Sequence, residues 1–243
     1  MILYGRNPVR EALRGRRADT VTDLWASKGA AREPWLAGLA VSVRGASEIE
    51  QRCGSSAHQG VCTQVGPYPY ADEQALLAGD APLLVALDQV QDPQNLGSIC
   101  RTAECAGAAG VVIPERRTVE VTPAVCKASA GAVEHLPVAR VRNLADFLAQ
   151  AREAGCWCYG ASAEDSGGHA VVPYDRPDYA GSGVVLVLGS EGRGLRPRVA
   201  KECDQLIALP LLGSIESLGV SAAAGALLYE ILQQRTPGVD KAS

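Results

Sequence analysis

Two continuous apolar runs constrain the fold of this 243-residue chain more than any other feature. Residues 83–87 and 184–188 contain only Leu, Val and Ala, as is typical of strands that are buried on both faces. Such strands belong to parallel sheets covered by helices, and helical patterns alternate with the predicted strands from residue 82 onward. The sequence therefore predicts an α/β fold with a parallel sheet in its C-terminal part.

The alternation in this part gives six strands and four helices. Asn143 is the expected N-cap of the third helix. The predicted strands are residues 83–87, 110–113, 136–141, 157–160, 184–188 and 204–209, and the predicted helices are residues 95–108, 122–130, 144–153 and 220–233. Because parallel sheets place ligands at the carboxyl ends of their strands, the loops at those ends are where we expect the chemistry.

The first 65 residues have shorter elements and predict a small α/β unit. Its expected strands are residues 2–4, 21–25, 41–43 and 61–65, and its expected helices are residues 8–13, with Asn7 as N-cap, 30–39 and 47–52. The segment Gly66-Pro67-Tyr68-Pro69-Tyr70 then interrupts regular structure. We therefore expect a domain at 1–65, a linker at 66–81, a larger domain at 82–235 and a frayed tail at 236–243.

Composition excludes several classes of protein. A chain with 47% hydrophobic and 21% charged residues is neither disordered nor fibrous, and no apolar run reaches the ~20 residues of a membrane helix. The N-terminus lacks the pattern of a secretory signal. Eight cysteines without a Cys-x-x-Cys pair, together with only three histidines, argue against a metal site. We expect a soluble cytoplasmic protein with free, mostly buried thiols.

The first of three glycine-bearing strand ends follows the run at 83–87. Asn95, Ser98 and Arg101 recur at spacings of three, which predicts that they share one face at the start of a helix. Gly97 between them allows a ligand or another backbone to approach closely. A helix N-terminus with an amide and a guanidinium suits an anionic group. An N-capped helix with a surface arginine explains the same residues, and this alternative stays open.

The second strand end is Gly189-Ser190-Glu191-Gly192-Arg193-Gly194, an exposed backbone cradle. Its glycine order is not the G-x-G-x-x-G of dinucleotide folds, and no helix is expected directly after it, which disfavours a nicotinamide site. Glu191 is the one acid of the loop, and a salt bridge with Arg193 or Arg196 is its alternative role.

The third strand end is the loop at 209–219, which leads into a helix of small residues. Ordinary helix–sheet packing explains this helix as well as a binding role does. Leu227, Leu228, Ile231 and Leu232 of the same helix could form a subunit interface or part of the core, and the sequence does not separate the two.

Together, in this order and spacing, the three strand ends resemble the SpoU (TrmH) class of SPOUT RNA methyltransferases. The class patterns are N-x-G-x-x-x-R, L-G-x-E-G-x-G and I-P-x-x-G-x-x-x-S-L-N-V-S. The N-terminal unit resembles the L30e-like RNA-binding domain of one subgroup, through Tyr4-Gly5-Arg6-Asn7-Pro8-Val9 and His58-Gln59-Gly60. The arrangement is most similar to bacterial 23S rRNA guanosine 2′-O-methyltransferases (RlmB-like).

The resemblance implies a trefoil knot in the C-terminal domain, a homodimer, S-adenosylmethionine as cofactor and rRNA as substrate. By position, the cofactor-binding residues are Gly189, Gly194, Leu209, Ser217 and Leu218. The catalytic residue is Arg101, with Asn95 and Glu191 fixing Arg101 and the ribose. Since an arginine is a poor general base, we expect Arg101 to hold a phosphate and to stabilise the developing alkoxide.

The resemblance also implies that the N-terminal arginines bind RNA. Residues 1–60 contain nine Lys/Arg and six Asp/Glu, whereas the whole chain has a net charge of −4. The basic residues near the first helix are Arg6, Arg10, Arg14, Arg16 and Arg17. A solvated helix face is the alternative explanation of this cluster.

One position departs from the class pattern: Gly219 stands where the class has Asn. The missing amide is expected to weaken cofactor binding or the rate. It is the one feature that favours a non-catalytic, knotted RNA-binding protein. A methyltransferase of tRNA, or one that confers antibiotic resistance on ribosomes, is a further alternative. An oxidoreductase of the nicotinamide or flavin type lacks its fingerprint.

Overall fold

The computed structural model describes residues 1–215 and 217–236, and the predicted tail from residue 237 onward lies outside them. The N-terminal part is a four-stranded sheet of order β1-β4-β2-β3 with two helices. Its strands are β1 (Ile2–Tyr4), β2 (Thr22–Ala26), β3 (Ser42–Val43) and β4 (Val61–Gln64), and its helices are α1 (Arg6–Ala12) and α2 (Ala46–Cys53). All four strands were expected from the sequence.

The C-terminal part is a seven-stranded sheet in which every pairing is parallel. Its strands are β5 (Leu83–Asp88), β6 (Gly110–Pro114), β7 (Val138–Val141), β8 (Cys156–Ala161), β9 (Val171–Pro173), β10 (Gly183–Gly189) and β11 (Gln205–Ala208), in the order β7-β6-β5-β10-β8-β11-β9. Its helices are α3 (Glu73–Leu77), α4 (Pro93–Cys105), α5 (Pro123–Ala128), α6 (Leu144–Glu153), α7 (Pro197–Glu202) and α8 (Val220–Arg235). The predicted α/β class is confirmed; the knot stays a prediction.

The two apolar runs form the centre of this sheet. β5 and β10 are direct neighbours, with Leu83 opposite Val184 and Asp88 opposite Gly189. Alternate residues of both strands enter two separate cores, one on each face: Val85 and Leu186 lie in one core, and Leu84 and Val185 lie in the other. Burial on both faces explains why these runs contain no polar residue before Asp88.

Several local predictions need correction. The expected helix at 30–39 is two short 3₁₀ turns, Ala30–Arg32 and Pro34–Leu36, because Pro34 lacks the N–H that would continue the first turn. α1 begins at Arg6 with Gly5 as its N-cap, not Asn7. Gly5 has φ +95°, a conformation that glycine adopts without strain. Strand β9 and helix α7 had no recognised signal in the sequence.

The segment expected to be a linker is anchored to the rest of the chain. It contains α3, and Ala71 donates its N–H to the Val138 carbonyl at 2.8 Å. Tyr68 is buried, and its hydroxyl lies 2.9 Å from the Val133 carbonyl oxygen and 3.2 Å from that of Leu136. The linker at 66–81 and the domain boundaries stay a prediction, and the segment contains a helix and makes contacts both to residues 133–138 and to Arg16 before it.

Arg17 is the largest correction, because it is buried against Cys126 and Glu134, which follow it in the sequence by more than a hundred residues. Only 2% of it is exposed, and its Nε donates to Glu134 Oε2 at 2.9 Å. A second nitrogen donates to the Gly66 carbonyl at 3.2 Å, and the guanidinium lies 5.3 Å from the centre of the Tyr68 ring. The prediction that Arg17 binds RNA is wrong, since its charge is already used inside the protein.

The cysteines and the helices agree with the expectations from composition. All eight cysteines are free thiols, and six of them are buried. Burial raises the pKa of Cys100 and Cys203 to about 12, which removes them as nucleophiles near neutral pH. Within the two described ranges, no helix combines the length and the apolar character needed to span a membrane.

Candidate active site

The three glycine-bearing loops lie at one edge of the sheet, since β5, β10 and β11 are parallel and end there. Two adjoining cavities open at this edge. The larger, of about 540 Å³, is lined by residues 188–195, Leu209 and residues 217–220, and we call it the main cleft. The smaller, of about 420 Å³, is lined by residues 89–92, Asn95 and Glu191. Residues 190, 191, 193 and 220 line both, so the two cavities are continuous.

The loop after β10 closes on itself. Gly194 donates its N–H to the Ser190 carbonyl at 3.0 Å, and Gly192 and Gly194 have φ of +79° and +63°. A Cβ on Gly189 would collide with the backbone of Gly194 and would lie 2.5 Å from the Leu195 nitrogen. Gly189 is one of the predicted cofactor-binding residues, and the space that a side chain would need there is filled by the loop's own backbone. The loop is thereby held in a shape that lines the main cleft.

The substitution Gly189→Ala tests this closure. We expect the affinity for S-adenosylmethionine, measured by calorimetry, to fall about tenfold, because overpacking against backbone costs ~1–3 kcal/mol. Gly181→Ala is the matched control, since nothing lies within 4 Å of a Cβ at that position. Equal affinities of the two variants would contradict the structural role of Gly189.

Helix α4 begins at Pro93, two residues before the predicted start. Asp92 caps it by accepting a hydrogen bond from the Gln94 N–H at 2.9 Å, and Pro93 suits the first turn. Gly97 then packs against α5, where a Cβ would lie 2.9 Å from the Val125 carbonyl oxygen. The close approach that Gly97 permits is thus to another helix rather than to a ligand.

Asn95 and Glu191 are brought into contact across the smaller cavity. Asn95 Nδ2 donates to Glu191 Oε1 at 2.7 Å, which joins the first loop to the second although the residues are 96 positions apart. The alternative salt bridge of Glu191 with Arg196 does not form, because Arg196 pairs with Asp88. The pairing of an amide with a carboxylate holds the two side chains together in the smaller cavity, and Glu191 also lines the main cleft.

The role of Asp88 was missed from the sequence. It ends β5, is 1% exposed, and accepts from Arg196 Nε at 2.7 Å and from the Arg196 backbone N–H at 2.9 Å. α7 begins at the next residue, Pro197, so a helix does follow the second loop closely. An acid that ends an otherwise apolar strand was the available signal. The Asp88–Arg196 pair anchors the far end of the loop on β5.

Arg101 is not brought to either cavity of its own chain. It is exposed on α4, beyond the first turn that contains Asn95, and it lines neither cavity. Within residues 1–215 and 217–236 its side chain makes no hydrogen bond or ion pair. Its assignment as the catalytic residue therefore stays a prediction.

The third loop supplies one wall of the main cleft. Leu209 is half-buried, and Ser217 and Leu218 are exposed at the cleft. Gly219 has φ +74° and ψ +144°, a backbone conformation that is almost exclusive to glycine. It is also the N-cap of α8. The departure from the class pattern at this position therefore accompanies a loop conformation that an asparagine would not readily adopt.

The substitution Gly219→Asn restores the class residue but is expected to give no gain in activity. The asparagine would be strained by ~1–3 kcal/mol, so we expect a several-fold loss of S-adenosylmethionine affinity. The control variant is Gly213→Asn, because this position has an ordinary φ and open surroundings. The midpoint of thermal denaturation is compared between the two variants. A faster Gly219→Asn enzyme would show that the loop rearranges at little cost.

The remaining N-terminal arginines differ in their surroundings. Arg6 pairs with Glu33 at 2.8 Å and Arg10 pairs with Glu11 at 2.8 Å. Arg16 is exposed and donates to the Pro69 carbonyl at 3.1 Å, and Arg14 is exposed. Their expected contact with RNA stays a prediction.

The apolar residues of α8 belong to the core. Leu227, Leu228 and Ile231 are at most 2% exposed, so the alternative of core packing is correct for these three. Exposed apolar side chains lie elsewhere, in the third loop and on the outer face of α8. Those in the third loop and on α8 are Leu211, Leu212, Ile215, Leu218 and Tyr229, and others are Leu39, Val43 and Trp157.

Comparison with known proteins agrees with this architecture. Residues 82–229 match the model of the SpoU rRNA methylase family, and residues 2–71 match that of the RNA 2′-O ribose methyltransferase substrate-binding domain. A relative from Bacillus subtilis, named as a TrmH family tRNA/rRNA methyltransferase, is 39% identical over 97% of this chain and 96% of its own length. A relative from Mycolicibacterium vanbaalenii, named as an uncharacterized tRNA/rRNA methyltransferase, is 40% identical over 96% of this chain and 76% of its own length.

Two solved structures share the fold. An AdoMet-bound rRNA methyltransferase from Sinorhizobium meliloti has a TM-score of 0.80 and 28% identity, covering 97% of this chain and 87% of the other. The SpoU methyltransferase AviRb from Streptomyces viridochromogenes, in complex with AdoMet, has a TM-score of 0.80 with 24% identity, covering 98% and 91%. The matches to both family models and to full-length relatives show that this chain belongs to the SpoU (TrmH) family of RNA methyltransferases.

Proposed function

We propose that this chain transfers a methyl group from S-adenosylmethionine to the 2′-oxygen of a guanosine ribose in 23S rRNA. The observation that carries the proposal is the hydrogen bond between Asn95 and Glu191, which joins two class motifs in the smaller cavity beside the main cleft. Family membership supports RNA methylation, and the N-terminal match to a 2′-O ribose methyltransferase domain supports the ribose as acceptor. The choice of 23S rRNA guanosine follows from the sequence resemblance.

The main cleft suits the cofactor. Its volume of about 540 Å³ lies in the range of small-molecule sites, and its lining combines loop backbone with the apolar wall of Leu209 and Leu218. Backbone amides and carbonyls of residues 189–194 can bond an adenosine, and the leucines can cover its base. S-adenosylmethionine supplies an electrophilic methyl group when it is bound. Gly189, Gly194, Leu209, Ser217 and Leu218 are the residues that we propose to hold it.

The chain's own residues then position the ribose. Glu191 receives a hydrogen bond from Asn95 on Oε1, while Oε2 has no hydrogen-bond partner in the described part of the chain. We assign Oε2 to hold the ribose hydroxyl. Arg101 would hold the neighbouring phosphate and stabilise the negative charge that develops on the oxygen. Orientation supplies most of the rate, because the reaction is a direct displacement.

A homodimer accounts for the position of Arg101. Leu212 and Ile215 are 99% and 75% exposed in the third loop, and Leu218 beside them lines the main cleft. Exposed apolar side chains of this kind mark association surfaces. We propose that a second copy covers this loop and that its α4 brings Arg101 toward the cleft of the first copy. Sedimentation analysis tests the dimer directly.

The experiment that tests the function uses the purified protein, radiolabelled S-adenosylmethionine and an unmodified 23S rRNA transcript. Methylated positions are mapped by resistance of the phosphodiester bond to alkaline hydrolysis, which requires a free 2′-hydroxyl. Label at one guanosine supports the proposal. Label only in a parallel tRNA transcript overturns the rRNA assignment, and absence of S-adenosylmethionine binding by calorimetry indicates the non-catalytic alternative.

A further inference from the structure

A third cavity lies at the same edge of the sheet, and no residue of the three class motifs lines it. Its volume is about 550 Å³ and we call it the arginine cavity. Its lining comes from chain segments that are distant in sequence: the ends of β5, β6 and β7, the start of α6 and the start of α7. The five arginines in its wall are Arg116, Arg117, Arg142, Arg196 and Arg198.

The arginine cavity carries an excess of positive charge. Arg196 is neutralised by Asp88, and Arg198 pairs with Asp146 at 2.8 Å. Arg116, Arg117 and Arg142 are exposed and form no ion pair within the described ranges. Three positive charges are therefore uncompensated in one concave site, although the chain as a whole has a net charge of −4. Solvated surface arginines are common, but here the unpaired ones of two loops, those after β6 and β7, line one cavity.

The arginine cavity adjoins the candidate reaction site. Gln89, the residue after β5, lines both the arginine cavity and the smaller cavity that contains Asn95 and Glu191. Gln89 has φ +63°, a left-handed conformation with which the chain turns between β5 and the residues that lead into α4. A strand whose ribose lies at Glu191 would therefore have its next phosphates within reach of the arginines.

We propose that the arginine cavity binds the phosphodiester backbone of the RNA strand that carries the methylated ribose. Guanidinium groups suit this ligand, because their planar N–H donors match phosphate oxygens and their charge persists at any physiological pH. Arg196 is preorganised by the buried Asp88, and the exposed Arg116 and Arg142 supply free donors from two other loops. The proposal rests on the proposed function only in taking RNA as the substrate.

The test compares two double variants that remove the same charge, one inside the arginine cavity and one outside it. Arg116→Gln with Arg142→Gln alters the arginine cavity. Arg176→Gln with Lys201→Gln is the control, since both residues are exposed and neither lines the arginine cavity. Binding of an unmodified 23S rRNA transcript is measured over a series of salt concentrations, and S-adenosylmethionine binding is measured by calorimetry.

For the Arg116/Arg142 variant we expect RNA affinity to fall about tenfold at low salt, and the slope of log K against log salt to flatten by about 1.4. The control keeps the parent slope, and both variants keep parent S-adenosylmethionine affinity. Equal slopes for the two variants would overturn the arginine cavity as an RNA site. If the parent protein binds the transcript but methylates no RNA, the proposed function fails while the binding comparison still decides this proposal.

Discussion

Replacing Arg101 with alanine is expected to lower the rate of RNA methylation by about a hundred- to a thousandfold, as loss of one donor to a developing oxyanion does in other enzymes. S-adenosylmethionine affinity should stay within twofold of the parent, because the contacts proposed for Arg101 are with the RNA phosphate and the ribose oxygen. The folded state should be unaffected, since the side chain is exposed and forms no ion pair in the part of the chain that the structure describes. Single-turnover methylation with saturating RNA is the measurement.

Arg101→Lys is the matched variant for this prediction. Lysine keeps the charge but loses the planar pair of donors, so we expect an intermediate rate. A parent-like rate in Arg101→Ala would remove the arginine from the mechanism. A rate that recovers when Arg101→Ala subunits are mixed with Glu191→Gln subunits would show in addition that the site combines residues of two chains.

Replacing Glu134 with glutamine should destabilise the protein by about 3–5 kcal/mol, because it leaves the buried Arg17 guanidinium uncompensated. For a chain of this size we expect the midpoint of thermal denaturation to fall by about 10 °C. The pair joins the N-terminal part to the C-terminal part, so the loss should also expose the segment around Tyr68 to proteolysis.

Two controls accompany this prediction. Asp146→Asn breaks the ion pair with Arg198, in which the Arg198 side chain is 70% exposed and that of Asp146 is 57% exposed. Because the pair is exposed, this substitution should lower the stability by less than about 1 kcal/mol. The double variant Arg17→Met with Glu134→Leu removes both buried charges and should regain most of the stability. If Glu134→Gln is as stable as Asp146→Asn, the buried pair does not stabilise the association of the two parts.

The sequence was sufficient to predict the parallel sheet and the convergence of the three loops. Both follow from local patterns, because buried strands are uniformly apolar and parallel strands end at one edge. Asn143 was correctly identified as the N-cap of Leu144–Glu153, since its side chain accepts from the Ala145 N–H at 3.1 Å. This cap is set by residues adjacent in sequence, but adjacency was not sufficient everywhere, since Gly5 and not Asn7 caps α1.

Other features depend on partners far away in sequence and could not be predicted. Arg17 looks like a surface residue of a basic helix until Glu134, 117 positions later, is packed against it. Gly189 matches a binding motif, but the atoms that forbid a side chain there belong to Gly194 and Leu195. The arginine cavity is likewise assembled from loops whose proximity only the sheet order reveals.

The anchored segment at residues 66–81 has a consequence for substrate choice. Tyr68 is hydrogen-bonded to the Val133 and Leu136 carbonyls, and Arg16 is hydrogen-bonded to the Pro69 carbonyl. The exposed arginines of the N-terminal part are therefore held at a fixed distance from the cleft. An RNA that meets both must present its target ribose at that separation. The protein would thus select its RNA by the folded shape of the RNA rather than by contacts to the bases.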